Sequence, residues 1–220
     1  MTSETTSPRV AMIGAGNVGA SLGNRLVAAG YSVCFGVRDD DAIAKTRARV
    51  DERARVELTA DAVADADVVF LAVPGGAAVE AAASLGPLDG TILVDCTNPV
   101  RWDAGPVWSP PAAGSNAEAI AAAVPGARVV KGFNGFGAEF HADPRLDAST
   151  GADVHLASDD AEAKQLLIAL GRAAGFRPVD IGPLRNAGLA ENLAILWIHL
   201  ATVGGQGRDF VLQRVSRATT

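Results

Sequence analysis

Gly14-Ala15-Gly16-Asn17-Val18-Gly19 is the stretch that decides the fold. An apolar run, Val10-Ala11-Met12-Ile13, leads into it. Residues 17–29 follow, with Val18, Leu22, Leu26 and Val27 on one helical side. Glycines spaced G-x-G-x-x-G between a strand and a helix hold the pyrophosphate of a dinucleotide in Rossmann-type domains. Gly14 allows the tight turn, Gly16 lets the backbone approach a phosphate, and Gly19 lets the helix lie close to the strand. Free N–H groups and the positive end of the helix dipole then face the anion. Gly14, Ala15, Gly16, Asn17, Val18 and Gly19 are therefore the first cofactor-binding candidates. The competing reading is a glycine turn with a structural role alone.

Outward from the turn, strands and helices alternate. Strands are expected at 31–37, 56–58, 67–73, 91–95, 127–132, 152–157 and 177–181. Helices are expected at 40–50, 59–64, 77–85, 116–124, 159–174 (capped by Ser158 or Asp159) and 186–203. Residues 98–115 read as one long loop carrying Pro99, Pro106, Pro110, Pro111, Trp102 and Trp108, and 208–217 as a final segment. This alternation predicts an α/β fold, a Rossmann-type doubly wound, mostly parallel sheet with a C-terminal helical extension. The expected division is a disordered tail at 1–8, a dinucleotide-binding domain at 9–185, and an extension at 186–220 packing on the site or on a dimer partner.

Composition excludes some classes. The 220 residues are 49% hydrophobic and carry a net charge of −6 without any Lys/Arg run, so no nucleic-acid partner is expected. No apolar run approaches the ~20 residues of a membrane span. The first residues lack the basic and apolar regions of a secretion signal, so a cytoplasmic location without membrane contact is expected. Cys34 and Cys96 fall in expected strands and read as small buried hydrophobes. His141, His155 and His199 have no metal-ligand spacing, so no metal site is expected.

The ends of the strands supply the remaining candidates, because ligands of open α/β sheets lie outside the carboxyl ends. After the second strand the chain reads Val37-Arg38. An acidic residue there would bind the ribose 2′-hydroxyl, whereas the Arg38 guanidinium suits a 2′-phosphate and favours NADP. Asp39 to Asp41 oppose that reading unless they start the next helix. Ala72, Val73 and Pro74 end the fourth strand, and Thr97, Asn98 and Pro99 follow the fifth, on the expected nicotinamide side. Lys131, inside an apolar strand, needs a partner or an exit to solvent. Asn134 follows the same strand. No catalytic group stands out; Lys131, Asn134 and His199 are the candidates, with His141 a further proton donor. Trp102, Trp108, Trp197 and Asn134 are candidates for a second-substrate pocket.

Taken with Lys131-Gly132-Phe133-Asn134, Gly182-Pro183-Leu184, Ala190-Glu191-Asn192-Leu193 and Leu196-Trp197, these motifs resemble the deazaflavin (coenzyme F420)-dependent NADP oxidoreductases. They are also similar to the reductase domain of the STEAP metalloreductases. The resemblance covers nearly the whole chain, from about Arg9 to Arg214. It implies hydride transfer between NADP(H) and a deazaflavin, or a flavin such as FMN or FAD, stacked on the nicotinamide. Such a reaction needs positioning more than acid–base groups. In the deazaflavin enzymes a Ser commonly precedes the Arg and a Lys follows it; here those places hold Val37 and Ala42. Two alternatives stay open: an NAD(P)-dependent reductase of a small imine or carbonyl compound, and a non-catalytic dinucleotide sensor. A homodimer is expected from the apolar helix.

Overall fold

The computed structural model describes residues 7–147 and 150–217. The first half runs β1 (Val10–Ile13), α1 (Asn17–Ala28), β2 (Val33–Val37), α2 (Asp40–Arg47), β3 (Arg55–Leu58), α3 (Thr59–Ala64), β4 (Val68–Leu71), α4 (Ala78–Ala83) and β5 (Ile92–Asp95). The second half runs β6 (Val100–Trp102), β7 (Pro106–Trp108), α5 (Asn116–Ala123), β8 (Arg128–Lys131), α6 (Ala138–Ala142), β9 (Asp153–Leu156), α7 (Ala161–Ala173), β10 (Arg177–Asp180) and α8 (Ala187–Ala201).

Six strands form one sheet in the order β3-β2-β1-β4-β5-β8, each neighbour parallel. The order reverses between β1 and β4, which opens a crevice at their carboxyl ends. The inner strands are buried along their whole length because helices cover both faces. Leu22, Leu26, Phe35, Phe70 and Leu167 fill one face; Ile13, Leu71, Ala78, Leu93 and Ile120 fill the other. Gly23 has no side chain because Phe35 lies there: a Cβ would sit 2.2 Å from the ring. The expected Rossmann-type architecture and C-terminal helix are both present.

Several expectations are corrected. Residues 98–115 are not a plain loop, since β6 and β7 pair antiparallel with Trp102 opposite Pro106. Three-residue strands with a proline carry too little alternation to be read from sequence, and Pro106 is tolerated because this ribbon has a free edge. Strands β9 and β10 pair parallel with each other, outside the six-stranded sheet, and a bridge at Lys131–Ala157 links them to β8. The cap of α7 is Asp160, whose carboxylate accepts from the Ala163 N–H at 2.8 Å. Ser158 and Asp159 are otherwise occupied, by Val129 O and the Leu184 N–H. Helix α6, five residues long, is too short to leave a periodic signal. Cys96 stands one residue beyond β5. Both thiols are free and buried, and burial pushes that of Cys34 up to about 12.

Helix α8 packs on β7 and α5, so the extension is joined to the sheet domain rather than apart from it. Residues 208–217 follow without regular structure, held by Trp197 Nε1 donating to Phe210 O (2.8 Å) and Arg214 N donating to Asp153 Oδ2 (3.0 Å). Residues 1–6 of the expected disordered tail lie outside the described residues.

Candidate dinucleotide site

The turn after β1 is built by close approach. Gly14 adopts φ +101°, where a Cβ would sit 2.5 Å from Ala72 O; one on Gly19 would sit 1.9 Å from Gly14 O. Gly16 differs: a Cβ there would meet nothing within 4 Å. Its missing side chain therefore leaves space outside the protein, at the mouth of the crevice. Gly16 is also the N-cap of α1, and no side chain caps that helix or places an acid in its first turn. Uncapped N–H groups and a positive dipole end thus border open space, which suits a pyrophosphate.

Ala72 lies against this turn, its N–H donating to Ile13 O at 2.8 Å. Val73 and Pro74 continue from it into a short 3-10 turn, Gly75–Ala77. A Cβ on Gly75 would come within 1.8 Å of Asn98 O, so the exits of β4 and β5 touch. At the end of β2, Val37 is buried and Arg38 is exposed with no hydrogen bond or ion pair among the described residues. The acids behind it start α2: Asp39 is the N-cap, accepting from Ala42 N–H at 2.8 Å, and Asp40 and Asp41 fill the first turn. Asp39 is thereby committed to the helix.

Beyond β5 the candidates divide. Asn98 and Asn134 pair reciprocally: Asn98 Nδ2 donates to Asn134 O (2.9 Å) and Asn134 Nδ2 to Asn98 Oδ1 (2.8 Å). Asn134 also donates to Ala190 O on α8 at 3.1 Å. Pro99, next in the chain after Asn98, is buried. Thr97 turns inward, where its hydroxyl donates to Asp95 Oδ1 (2.7 Å) and accepts from Asn116 Nδ2 (2.8 Å).

Lys131 finds partners rather than solvent. Its Nζ donates to Asp95 Oδ2 at 2.8 Å, to Glu191 Oε1 at 3.2 Å and to Thr97 O, with all three charged side chains fully buried. Glu191 further accepts from Asn116 N–H (2.9 Å) and Trp108 Nε1 (3.1 Å). Burial pushes the Glu191 carboxyl up, against the pull of the Lys131 charge and the Trp108 donor. The cluster joins β5, β7, α5, β8 and α8 in one satisfied network, and every donor of Lys131 is taken. Sequence reading missed Asp95, Asn116 and the Lys131–Glu191 pair. The available signal was three charges, each alone inside an apolar stretch.

The tryptophans do not gather into one pocket. Trp108 serves Glu191, Trp197 is buried against Phe210 with Arg208 5.4 Å over its ring, and Trp102 is 58% exposed on the hairpin. No ring contact joins any two of them among the described residues. His199 is exposed on the last turn of α8, near Gly105 of the hairpin. His141 is buried, its Nδ1 and Nε2 facing Gly137 O (3.0 Å) and Phe133 O (2.9 Å), and burial lowers its pKa. It is committed to α6.

Residues 9–99 match the family model described as NADP oxidoreductase, coenzyme F420-dependent. Over that segment the chain resembles the coenzyme F420-dependent NADP oxidoreductases. The likeness extends past the matched segment. The F420-dependent NADP reductase of Methanothermobacter marburgensis is 29% identical over 205 residues, covering 85% of this chain and 89% of that protein. The crystal structure of a candidate F420-dependent NADP reductase from Arthrobacter sp. FB24 superposes with a TM-score of 0.81 at 29% identity, over 94% of this chain and all of that one. Metalloreductase STEAP3 of Rattus norvegicus is 32% identical over 190 residues, 86% of this chain. The chain spans 37% of that metalloreductase's length. The resemblance read from the sequence is borne out, and the named relatives are reductases. No helix among the described residues is long and apolar enough to cross a membrane.

Proposed function

We propose that this protein is an NADP-dependent oxidoreductase of the cytoplasm that exchanges a hydride between NADP(H) and a deazaflavin of the coenzyme F420 type. The observation that carries the reading is Gly16, an uncapped helix start facing space that a Cβ would fill, with the unpaired Arg38 at the neighbouring strand end. That cradle fits a dinucleotide. The backbone of Gly14 to Gly19 would hold the pyrophosphate, Arg38 the 2′-phosphate, and the exits of β4 and β5, at Ala72 to Pro74 and Asn98, would border the nicotinamide half. NADPH when bound supplies a hydride, two electrons and one proton together, and the reduced acceptor ring takes a further proton from water. The chain's own residues position and shield. The Asn98–Asn134 pair fixes the floor between β5 and β8, and Lys131 is locked in its network, away from proton transfer. Positioning of this kind agrees with Lys131 and His141 both being committed to fixed partners.

A flavin, FMN or FAD, is the second acceptor considered, on the likeness to the metalloreductases. The deciding experiment follows NADPH absorbance as F420, FMN and FAD are offered in turn. Oxidation with F420 above the flavins is expected; no oxidation with any of the three would refute the assignment.

We further propose a homodimer through α8. Leu189, Leu193, Leu196 and Leu200 recur along α8 at spacings of 4, 3 and 4, the pattern of a helix seam. Leu189 and Leu196 are 67% and 49% exposed. The helix's one carboxylate, Glu191, is buried on the opposite side, so an identical copy could cover the stripe without burying an unpaired charge.

A further inference from the structure

Arg49 follows α2 in sequence, yet its guanidinium reaches the start of α1, where Nη2 donates to Asn17 Oδ1 at 3.0 Å. Its backbone is tied lower on the same helix. Arg49 O accepts from Asn24 Nδ2 at 3.3 Å, and Asp51 N–H donates to Asn24 Oδ1 at 2.7 Å. Asn24 lies two turns below Asn17, about 10 Å along the axis. The side chain is therefore stretched up α1 toward the phosphate turn. It lines a cleft of about 530 Å³ that also includes Asn17, Ser21, Asn24, Glu139 and Arg208.

Its charge is not cancelled there. Arg208 in the same cleft pairs with Glu139 at 2.8 Å, and Arg53 and Arg145 pair with neighbouring aspartates, whereas Asn17 is a neutral amide. A cation at the N-terminus of a helix is also opposed by the dipole, which favours anions at that end. The first turn of α1 holds no acid to offset it. The arrangement becomes favourable when an anion occupies the turn, because dipole and guanidinium then pull on the same charge.

We propose that Arg49, steered by Asn17 and Asn24, contacts a phosphate of the bound dinucleotide. This rests on the Gly14–Gly19 turn being the dinucleotide site. Two phosphates share the required chemistry, the pyrophosphate and the 2′-phosphate, and the choice of nucleotide separates them.

The test measures Kd for NADPH and NADH in the wild type, Arg49→Ala and Arg49→Lys, with melting curves to show that each variant is folded. Arg49→Ala should weaken NADPH by about tenfold, the weight of one charge-assisted hydrogen bond, and Arg49→Lys should recover part of the loss. A loss confined to NADPH assigns Arg49 to the 2′-phosphate; equal losses for both nucleotides assign it to the pyrophosphate. Either supports the proposal. Unchanged Kd values in a folded Arg49→Ala, beside a wild type that binds, would overturn it and leave the turn assignment standing. A wild type that binds neither nucleotide would overturn both.

Discussion

Lys131 and Glu191 stand 60 positions apart and meet at 3.2 Å with neither side chain exposed. Asp95 completes the set from the other side of the ammonium, at 2.8 Å. Taking three charges out of water is costly, and the geometry offsets it by giving each one fixed partners. The pair pins α8 to the carboxyl end of β8, next to Asn134 and the strand exits that border the proposed cofactor site.

Removing the cation from this set should be the most damaging change. Lys131→Met would leave two carboxylates buried without a counter-charge, and a loss of about 3–5 kcal/mol is expected. Glu191→Gln keeps the shape and one acceptor oxygen, which can serve Asn116 and Lys131 or Trp108 but not both sides, so a loss of about 1–3 kcal/mol is expected. Urea unfolding of the two variants measures the difference. Equal, small losses would show that the network contributes little to stability.

Two glycines of the turn should separate binding from folding. Gly16→Ala meets no protein atom, so its melting temperature should stay near that of the wild type while NADPH affinity falls more than about tenfold. Gly19→Ala drives a Cβ to 1.9 Å from Gly14 O and should destabilise the fold by about 1–3 kcal/mol. Calorimetry and nucleotide titration on both variants check this. Full NADPH binding by Gly16→Ala would place the pyrophosphate elsewhere.

Acid stability should carry a step from Asp160. The Arg128 guanidinium, with the Ala163 N–H behind it, holds this carboxyl down to about 2. The unfolded chain binds that proton near the ordinary ~3.9. The folded pKa is the lower one, so the stabilisation is present above about pH 4 and is lost as pH falls to about 2. Asp160→Asn can still cap α7 but cannot pair with Arg128. The stability gap between wild type and variant should therefore close across that window. A gap that does not change with pH would refute the assignment.

The leucine stripe of α8 predicts the state of assembly. Leu196→Glu puts a charge at the middle of the stripe and should convert a dimer to a folded monomer in sedimentation. A wild type that already sediments as a monomer would overturn the proposed seam.

Much of this molecule was legible because local pattern and fold coincide. Fully buried strands read as continuous apolar runs, and β1, β4 and β5 were located to within two residues at each end. The glycine turn was legible because its three glycines sit between a strand and a helix. Asp39 was ambiguous in sequence, since an acid after β2 serves a ribose or a helix equally well; its bond to Ala42 decides for the helix. The hairpin β6–β7, the short α6 and the shift of the cap to Asp160 fell below the resolution of periodicity.

The sequence by itself determined the dinucleotide turn, the alternating α/β order and the family likeness, because those depend on spacing along the chain. Only the tertiary structure decided the fate of Lys131, the pairing of Asn98 with Asn134 and the reach of Arg49 to Asn17. The reason is that a polar side chain's role depends on its partners, and these partners lie 60, 36 and 32 positions away. No local pattern encodes such a distance; it appears once parallel strands and their helices bring the ends together.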